Sequence, residues 1–427
     1  MNEFIAKLKA VFKDQTLRKR VGFTIAALLI FRLLAAIPMP GVDKASLETL
    51  LNSNQLFGFF NIVSGGGLSN FSIMMLGVSP FITASIIIQL LTMMLPRWKA
   101  LMHDEGEAGR VKLSQYSRLI TPPLAVVQAI GFILLLQSQN ALPHLSAGVM
   151  TLNVIVITAG SMLLMWIGEL ISEFGIGNGV SLIIFAGIVS RLPTVVFREY
   201  QTSLAQGTSS IPMLVVILIV AVVVVAGVVY VTEAERSVPV TYAKQVRGNK
   251  VYGGASTYIP LRLNQSGVIP IIFALSILLI PQMIAQPLSH VSNQLIASWS
   301  GVVFAFMSDQ WVHGILYFLL VVAFTYFYTA VTFDPQMISE NLQRSGAFIP
   351  GVRPGEHTRD YLGNIVTRIT LVGALFLGII AVLPLIMQGF NNGDTSLAVG
   401  GTSLLIVVSV VIDLLKKIDA QVTMREY

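Results

Sequence analysis

The sequence predicts an all-α membrane protein of ten transmembrane helices, and three observations support that fold class. Of the 427 residues, 54% are hydrophobic and only 11% are charged, whereas about a quarter of the residues of a soluble domain are charged. Apolar runs of the length that a bilayer-spanning helix requires recur from one end of the chain to the other. Basic residues are concentrated in alternate connecting segments, which is typical of a multi-pass protein.

Ten apolar segments are the predicted spans. They lie near residues 19–38, 76–95, 115–137, 149–172, 179–197, 212–231, 266–287, 311–333, 363–388 and 402–418. Spans one to five (19–198) and six to ten (212–418) form two halves joined by an outer-side hinge loop at 199–211. Because each half has an odd number of spans, the halves are expected to be pseudosymmetric and inverted, although the sequence contains no clear repeat.

The distribution of charge predicts the orientation in the membrane. Most of the 27 Lys and Arg residues lie in or beside the N-terminal segment, the tail 419–427 and the connections after the even-numbered spans. The positive-inside rule assigns these segments, and therefore both termini, to the cytoplasm. Residues 1–18 carry Phe4, Leu8 and Val11 on one helical face, so they are predicted to form a cytoplasmic amphipathic helix at the membrane surface.

The segment from about 57 to 74 departs from a plain helix and loop. It is too short and too rich in glycine to span, yet too apolar for an exposed loop. Non-helical backbone at membrane depth requires cover from protein or a water-filled cavity, so a re-entrant segment on the outer side is predicted. A phosphate-binding loop is excluded because no Gly-Lys-Ser/Thr follows the glycines.

Two long cytoplasmic loops, 232–265 and 334–362, also stand apart. In the first, apolar and β-branched residues flank Arg247-Gly248-Asn249, a pattern that predicts a β-hairpin with a tight turn. Loops that only connect spans are usually short, so both are expected to contact a cytoplasmic partner.

The sequence lacks the components of catalysis. It has no cysteine, its five histidines are scattered, and it contains no HExxH pattern. We therefore predict that the chain is not an enzyme and has no metal or cofactor. The middle of the predicted spans is almost purely apolar, which suits a pore that closes by excluding water. A secondary transporter with inverted repeats is the alternative, and it would require ionisable residues near the midplane.

Six stretches in order along the chain resemble the SecY family of protein-conducting channels. They are residues 77–91 (GVSPFITASIIIQLL), 105–116 (EGEAGRVKLSQY), 177–181 (GNGVS), 267–270 (GVIP), 345–355 (SGAFIPGVRPG) and 400–407 (GGTSLLIV). The resemblance implies an hourglass pore that passes unfolded polypeptide and releases hydrophobic segments sideways into the bilayer. It also implies a location in the bacterial plasma (inner) membrane.

Matching the family motifs assigns three groups of residues inside the membrane. The pore ring would be Val78, Ile82, Val180, Ile184, Ile272 and Ile406. The re-entrant segment would be a plug beneath that ring, including Phe57, Gly65, Gly66, Gly67 and Met74. The lateral gate would lie between spans two and seven, at Thr83, Ile86, Ile87, Gln89, Asn264, Gln265, Ser276 and Ile280. Without the family, apolar positions such as these would be assigned to packing or to lipid contact.

The resemblance also implies partners. Arg353 matches a family arginine associated with the SecA motor ATPase, and Arg344 and Arg359 lie in the same loop. Lys244, Arg247 and Lys250 resemble a basic patch that faces ribosomal RNA and proteins. The ordinary positive-inside bias would explain these charges without any partner. The small subunits SecE and SecG, substrate signal sequences, nascent polypeptides and membrane lipid complete the expected partners.

Overall fold

The computed structural model describes residues 14–39, 71–98, 101, 106–138, 142, 145–205, 211–242, 245–247, 250–252, 256–288, 294–390 and 400–426. Its helices are α1 (Gln15–Ala35), α2 (Ser79–Met94), α3 (Glu107–Ser138), α4 (Ala147–Phe174), α5 (Gly179–Ala205) and α6 (Ile211–Glu233), then α7 (Ile269–Leu288), α8 (Gln294–Ser308), α9 (Gln310–Thr332), α10 (Pro335–Arg344), α11 (Glu356–Phe390) and α12 (Gly400–Glu426). Most of the predicted amphipathic helix 1–18 lies outside the described residues.

Each of the ten predicted spans coincides with one of these helices, which confirms the all-α membrane fold. The ten are α1 to α7, α9, α11 and α12. By length and composition alone, four segments of the described chain qualify as bilayer spans: Val111–Gln137, Ala147–Phe174, Trp311–Arg344 (which continues into α10) and Glu356–Leu383. Shorter apolar stretches include Ser79–Met94 and Ile269–Leu278.

The helix boundaries differ from the predicted spans at two places because hydropathy marks the apolar part of a helix and not its end. The hinge loop predicted at 199–211 is helical from 199 to 205, where α5 continues past its apolar residues. The loop predicted at 334–362 contains α10 and the first turns of α11, which begins at Glu356. In addition, α8 occupies a connection for which the sequence predicted no helix.

The two long loops, 232–265 and 334–362, together form one three-stranded antiparallel sheet. Its strands are β1 (Glu235–Tyr242), β4 (Ser256–Arg262) and β5 (Ala347–Phe348), in the order β4-β1-β5. Two short strands, β2 (Gln245–Arg247) and β3 (Lys250–Tyr252), pair with Arg247 opposite Lys250, which confirms the predicted hairpin. The second loop is joined to the first because Thr241 of β1 pairs with Phe348 of β5.

A small apolar core lies between this sheet and the start of α11. Val238 and Val240 alternate with exposed neighbours along β1, as period-two patterning requires. They pack with Leu261, Ala347 and residues 362–369 of α11. The sheet and the start of α11 are therefore one packed unit.

Within the membrane, the helices pack as two groups that meet at two seams. In the first group α3 contacts α2 and α4, and α1 contacts α4 and α5. In the second group α9 contacts α7 and α11, and α12 contacts α6 and α11. The groups meet where α7 lies against α2 and α3, and where α5 lies against α12. One buried apolar cluster between the two groups includes residues of α2, α5, α7 and α12.

Candidate channel, lateral gate and docking loops

The six residues predicted to form the pore ring come together at the centre of the bundle. Val78, Ile82, Ile184, Ile272 and Ile406 belong to one buried apolar cluster, and Val180 is partly buried against it. They come from the four helices that bound the two seams, with Val78 immediately before α2. All six side chains are aliphatic, so the centre of the bundle offers no charge or hydrogen bond to water or ions.

Local sequence explains why these side chains point the same way. Val78 and Ile82 are four residues apart, as are Val180 and Ile184, so each pair lies on one face of a helix. Gly179 allows the start of α5 to approach α4 closely, since a Cβ at this position would overlap the carbonyl oxygen of Gly168. This approach fixes the position of Val180.

The carboxyl-terminal end of the predicted plug is held firmly. The amide of Met39 donates a hydrogen bond to the Phe71 carbonyl at 2.8 Å, and the amide of Ile73 donates to the Ile37 carbonyl at 3.2 Å. Phe71 is buried with φ of 42°, a conformation that is uncommon outside glycine. Residues 71–78 are therefore joined to the end of α1 by backbone hydrogen bonds.

Two further contacts fix this segment. Met74 has no exposed surface and belongs to the same apolar cluster as the ring residues. On the other side, Gly160 of α4 lies so close to Ile73 that a Cβ would overlap its carbonyl oxygen. Phe57, Gly65, Gly66 and Gly67, the other predicted plug residues, lie outside the described residues.

The polar residues predicted at the lateral gate satisfy most of their hydrogen bonds within their own segments. The Ser276 hydroxyl donates to the Ile272 carbonyl at 2.9 Å, four residues back in α7. The Asn264 side chain donates to the Gly267 carbonyl at 3.1 Å, which closes the turn that precedes α7. Neither hydrogen bond crosses from α7 to α2.

Among the described residues of this group, one interhelical hydrogen bond connects α2 to α3. The Thr83 hydroxyl donates to the Ser79 carbonyl at 3.0 Å and accepts from Nε2 of Gln128 at 3.4 Å. Oε1 of Gln128 and Oε1 of Gln89 are buried and accept no hydrogen bond from the described residues. Sequence reasoning missed Gln128, although an amide within the otherwise apolar stretch 124–136 is a visible signal.

The remaining predicted gate residues lie on α2, on α7 or in the turn before α7. Ile86 is buried in the central cluster, whereas Ile87 is partly exposed. Gln265 is partly buried in the turn before α7. Position 280 lies on α7, but its side chain is outside the described part of the structure.

The loop that carries Arg353 is braced so that this side chain projects into solvent. Gly351 and Gly355 have φ of 84° and 94°, which produce the sharp turns on either side of Arg353. The Thr358 hydroxyl donates to the Arg353 carbonyl at 2.9 Å, and the Ser339 hydroxyl donates to the Gly355 carbonyl at 2.6 Å. Arg353 is exposed and makes no ion pair with any described residue.

The neighbouring arginines are paired locally. Arg344 lies 3.6 Å from Glu340 on the same helix, and Arg359 lies 2.9 Å from Asp360. Arg247 and Lys250 are opposite each other on the β2–β3 hairpin, while Lys244 is outside the described residues. Of the described basic residues in the 334–362 loop, Arg353 is thus the one most available to an acidic partner.

Comparison with known proteins assigns the family. The SecY family model matches residues 72–415. The chain belongs to the SecY family. A SecY protein translocase subunit from Corynebacterium glutamicum is 41% identical, with 97% of each chain covered.

Solved structures agree on the fold of this SecY family member. A structure described as a protein conducting channel superposes with a TM-score of 0.65 at 20% identity, covering 95% of this chain and 92% of the other. Sec61 in the canine ribosome-channel complex from the endoplasmic reticulum superposes with a TM-score of 0.62 at 19% identity, with the same coverage. At these identities the likeness concerns the fold.

Proposed function

We propose that this chain is the channel-forming subunit of a protein translocase. It passes unfolded polypeptides across the membrane and releases hydrophobic segments laterally into the bilayer. The observation that carries the proposal is the convergence of six aliphatic side chains from both helix groups on one buried cluster between the two seams. The relatives that share the family and nearly the whole length of the chain are protein translocase subunits.

The aliphatic cluster is the closed constriction. A hydrophobic ring excludes water and ions without binding a particular solute, so extended chains with varied side chains can pass through it. Residues 57–74, the proposed plug, add a second seal, with Met74 against the ring and residues 71–78 as its fixed end. The chain is a channel subunit and not an enzyme.

The seam between α7 and α2 is the lateral gate. A signal sequence with about ten leucine-like residues gains on the order of 3–6 kcal/mol when it enters lipid. A hydrogen bond between membrane helices contributes only about 1 kcal/mol. Since Asn264 and Ser276 bond within their own segments, these side chains lose no partner when the seam opens.

Partners dock on the packed unit formed by the β-sheet and the start of α11. The chain supplies no nucleotide site, so energy comes from partners: SecA, which we place at Arg353, and the ribosome, which we place at Lys244, Arg247 and Lys250. SecE and SecG are the proposed small subunits. The protein is multi-pass, and we assign it to the bacterial inner membrane with both termini and the β-sheet in the cytoplasm, following the distribution of basic residues.

Translocation by proteoliposomes tests this function. Vesicles contain the channel with its small subunits, and they receive motor ATPase, ATP and a precursor that carries a signal sequence. Wild-type channels are expected to protect the precursor from added protease, and Arg353→Glu channels to lose most of this protection. Arg353→Lys retains the charge and should protect an intermediate amount of precursor. Arg236→Glu is the control, because Arg236 is an exposed arginine on strand β1 and not in the loop of Arg353.

Two results would contradict the proposal. If wild-type vesicles protect no precursor but take up a small solute in a saturable manner, the chain is a transporter. If Arg236→Glu is as harmful as Arg353→Glu, the effect comes from net charge and the docking assignment is wrong.

A further inference from the structure

Helix α8 carries a feature that the translocase proposal does not use. Its sequence, QLIASWSGVVFAFMS, has no charged residue and no histidine. Trp299, Val302 and Phe306 are 73%, 65% and 55% exposed. Spacings of three and four residues place them on one face of the helix. The opposite side packs inward, with Ser300 buried and Met307 against the central apolar cluster.

The position of α8 in the chain determines which end of the bundle it occupies. The chain enters α7 from β4 of the cytoplasmic sheet and leaves α9 into α10 and β5 of the same unit. Both ends of α8 therefore lie at the end of the bundle opposite the sheet. A helix of 15 residues is roughly 22 Å long and does not cross a hydrocarbon core of about 30 Å.

The exposed face of α8 continues a surface that already faces lipid. Trp311, Ile315 and Leu319 of the spanning helix α9 are 74%, 60% and 56% exposed and form a stripe at four-residue spacing. α8 packs against both α7 and α9. Its last residue, Ser308, is separated from the start of α9 by Asp309 alone.

Tryptophans at two neighbouring exposed positions, 299 and 311, indicate the depth of this surface. Tryptophan is enriched where the hydrocarbon meets the headgroups. An exposed face with large apolar side chains and no charge is costly in water and favourable against acyl chains. We propose that α8 is inserted into the leaflet opposite the cytoplasmic sheet, with Trp299, Val302 and Phe306 against lipid acyl chains.

This insertion has a consequence for the gate, which rests on the proposed function. α8 follows α7 directly and packs against it, and α7 is one side of the lateral gate. When α7 moves away from α2, α8 moves through the leaflet with it. Lipid contact stabilises the closed seam to the extent that opening draws the apolar face of α8 away from the acyl chains.

Spin labelling of single cysteines tests the lipid contact, because the chain has no native cysteine. Val302→Cys is labelled with a nitroxide in the channel complex in vesicles, and collision with dissolved oxygen is compared with collision with a water-soluble nickel chelate. Leu319→Cys on α9 is the lipid control, and Tyr258→Cys on β4, 64% exposed, is the water control. The label at 302 should resemble the label at 319.

Two outcomes would overturn the insertion. Nickel access at 302 like that at 258 would place α8 in water, and poor access to both reagents would mean that a protein partner covers it. The gate consequence has its own test, translocation of a precursor with a weakened signal sequence. Val302→Asp, which draws α8 out of the leaflet, should raise the translocation of this precursor severalfold. Val302→Leu should leave its translocation unchanged.

These tests separate the inference from the proposed function. If the label at 302 faces lipid but Val302→Asp and Val302→Leu translocate the precursor equally, α8 is inserted in the leaflet and the coupling to the gate is refuted. Failure of wild-type channels to translocate any precursor would refute the function, while the label would still report the position of α8.

Discussion

Replacing Gly160 by alanine should loosen the segment that anchors the proposed plug. Gly160 lies on α4 beside residues 71–78, and a Cβ there would overlap the Ile73 carbonyl oxygen. It would also lie 2.9 Å from the Ile73 carbonyl carbon and 3.4 Å from the sulfur of Met74. Backbone atoms cannot rotate aside as a flexible side chain can, so either α4 or residues 71–78 must move.

The size of the effect follows from the overlap. Non-bonded carbon atoms have their optimal separation at about 3.5–4.0 Å. The carbonyl carbon of Ile73 must therefore move away from the added Cβ by roughly 0.6 Å or more. Overpacking of this kind costs about 1–3 kcal/mol. If this cost falls on the closed channel alone, displaced arrangements of the segment become about 5–150 times more populated.

Ion leak through channels without a translocating chain measures that population. Vesicles that contain Gly160→Ala channels should lose a trapped ion or small dye faster than wild type. Gly148→Ala is the matched control, since it lies on the same helix and an added Cβ meets nothing within 4 Å. Unchanged leak and unchanged thermal stability in Gly160→Ala would show that the close approach does not constrain the plug anchor.

Three other predictions concern the described polar groups and the docking surface. Gln128→Leu removes a buried amide whose Oε1 accepts no hydrogen bond from the described residues. The change should raise thermal stability by about 1 kcal/mol while slowing export. Lower stability would mean that the contact of Gln128 with Thr83 stabilises the fold more than the unpaired oxygen destabilises it. Arg118→Ala breaks the ion pair with Glu169 that joins α3 to α4. Because the arginine is half exposed, the loss of stability should be about 0.5–1 kcal/mol, and Arg118→Lys should restore part of it. An equal loss in both variants would assign the effect to packing. The logarithm of the affinity for the ribosome should fall linearly with the logarithm of the salt concentration. An affinity that does not change with salt would argue against phosphate contacts by the basic hairpin.

The sequence was a good guide to the membrane fold because the bilayer imposes strong rules. Length, apolar runs and the distribution of basic residues each follow from the cost of placing polar groups in lipid. All ten spans coincide with helices for this reason. The rules identify segments that cross the whole hydrocarbon layer, so the sequence predicted neither the short helix α8 nor the pairing of β5 with β1.

At the site, the predictions differed in the kind of information they needed. The ring residues were found by motif matching, since an aliphatic residue in an apolar span carries no signal of its own. Gln128 was missed although its polarity is visible, because only the structure shows that it contacts Thr83. The hydrogen bonds of Asn264 and Ser276 could not be predicted either, since a short polar side chain can bond to its own backbone or across a helix interface.

The structure also connects the docking loop to the gate by a short path. Arg353 projects from the loop that follows β5, and β5 is held to β1, which pairs with β4 along seven residue positions. From β4 the chain reaches α7 in six residues, 263–268, and the amide of Leu263 donates to the Ala234 carbonyl at 2.8 Å. Gly373 of α11 lies against the Leu263 carbonyl oxygen, where a Cβ would sit at 2.5 Å.

Because the sheet, α11 and the start of α7 are packed together, a partner that pulls on the sheet also acts on one side of the proposed lateral gate. The opposite side, α2, connects instead to the plug anchor at residues 71–78. Under the proposed assignment, a partner at the sheet therefore acts directly on α7, whereas residues 71–78 are reached through α2 and through the central cluster that Met74 shares with Ile272 of α7.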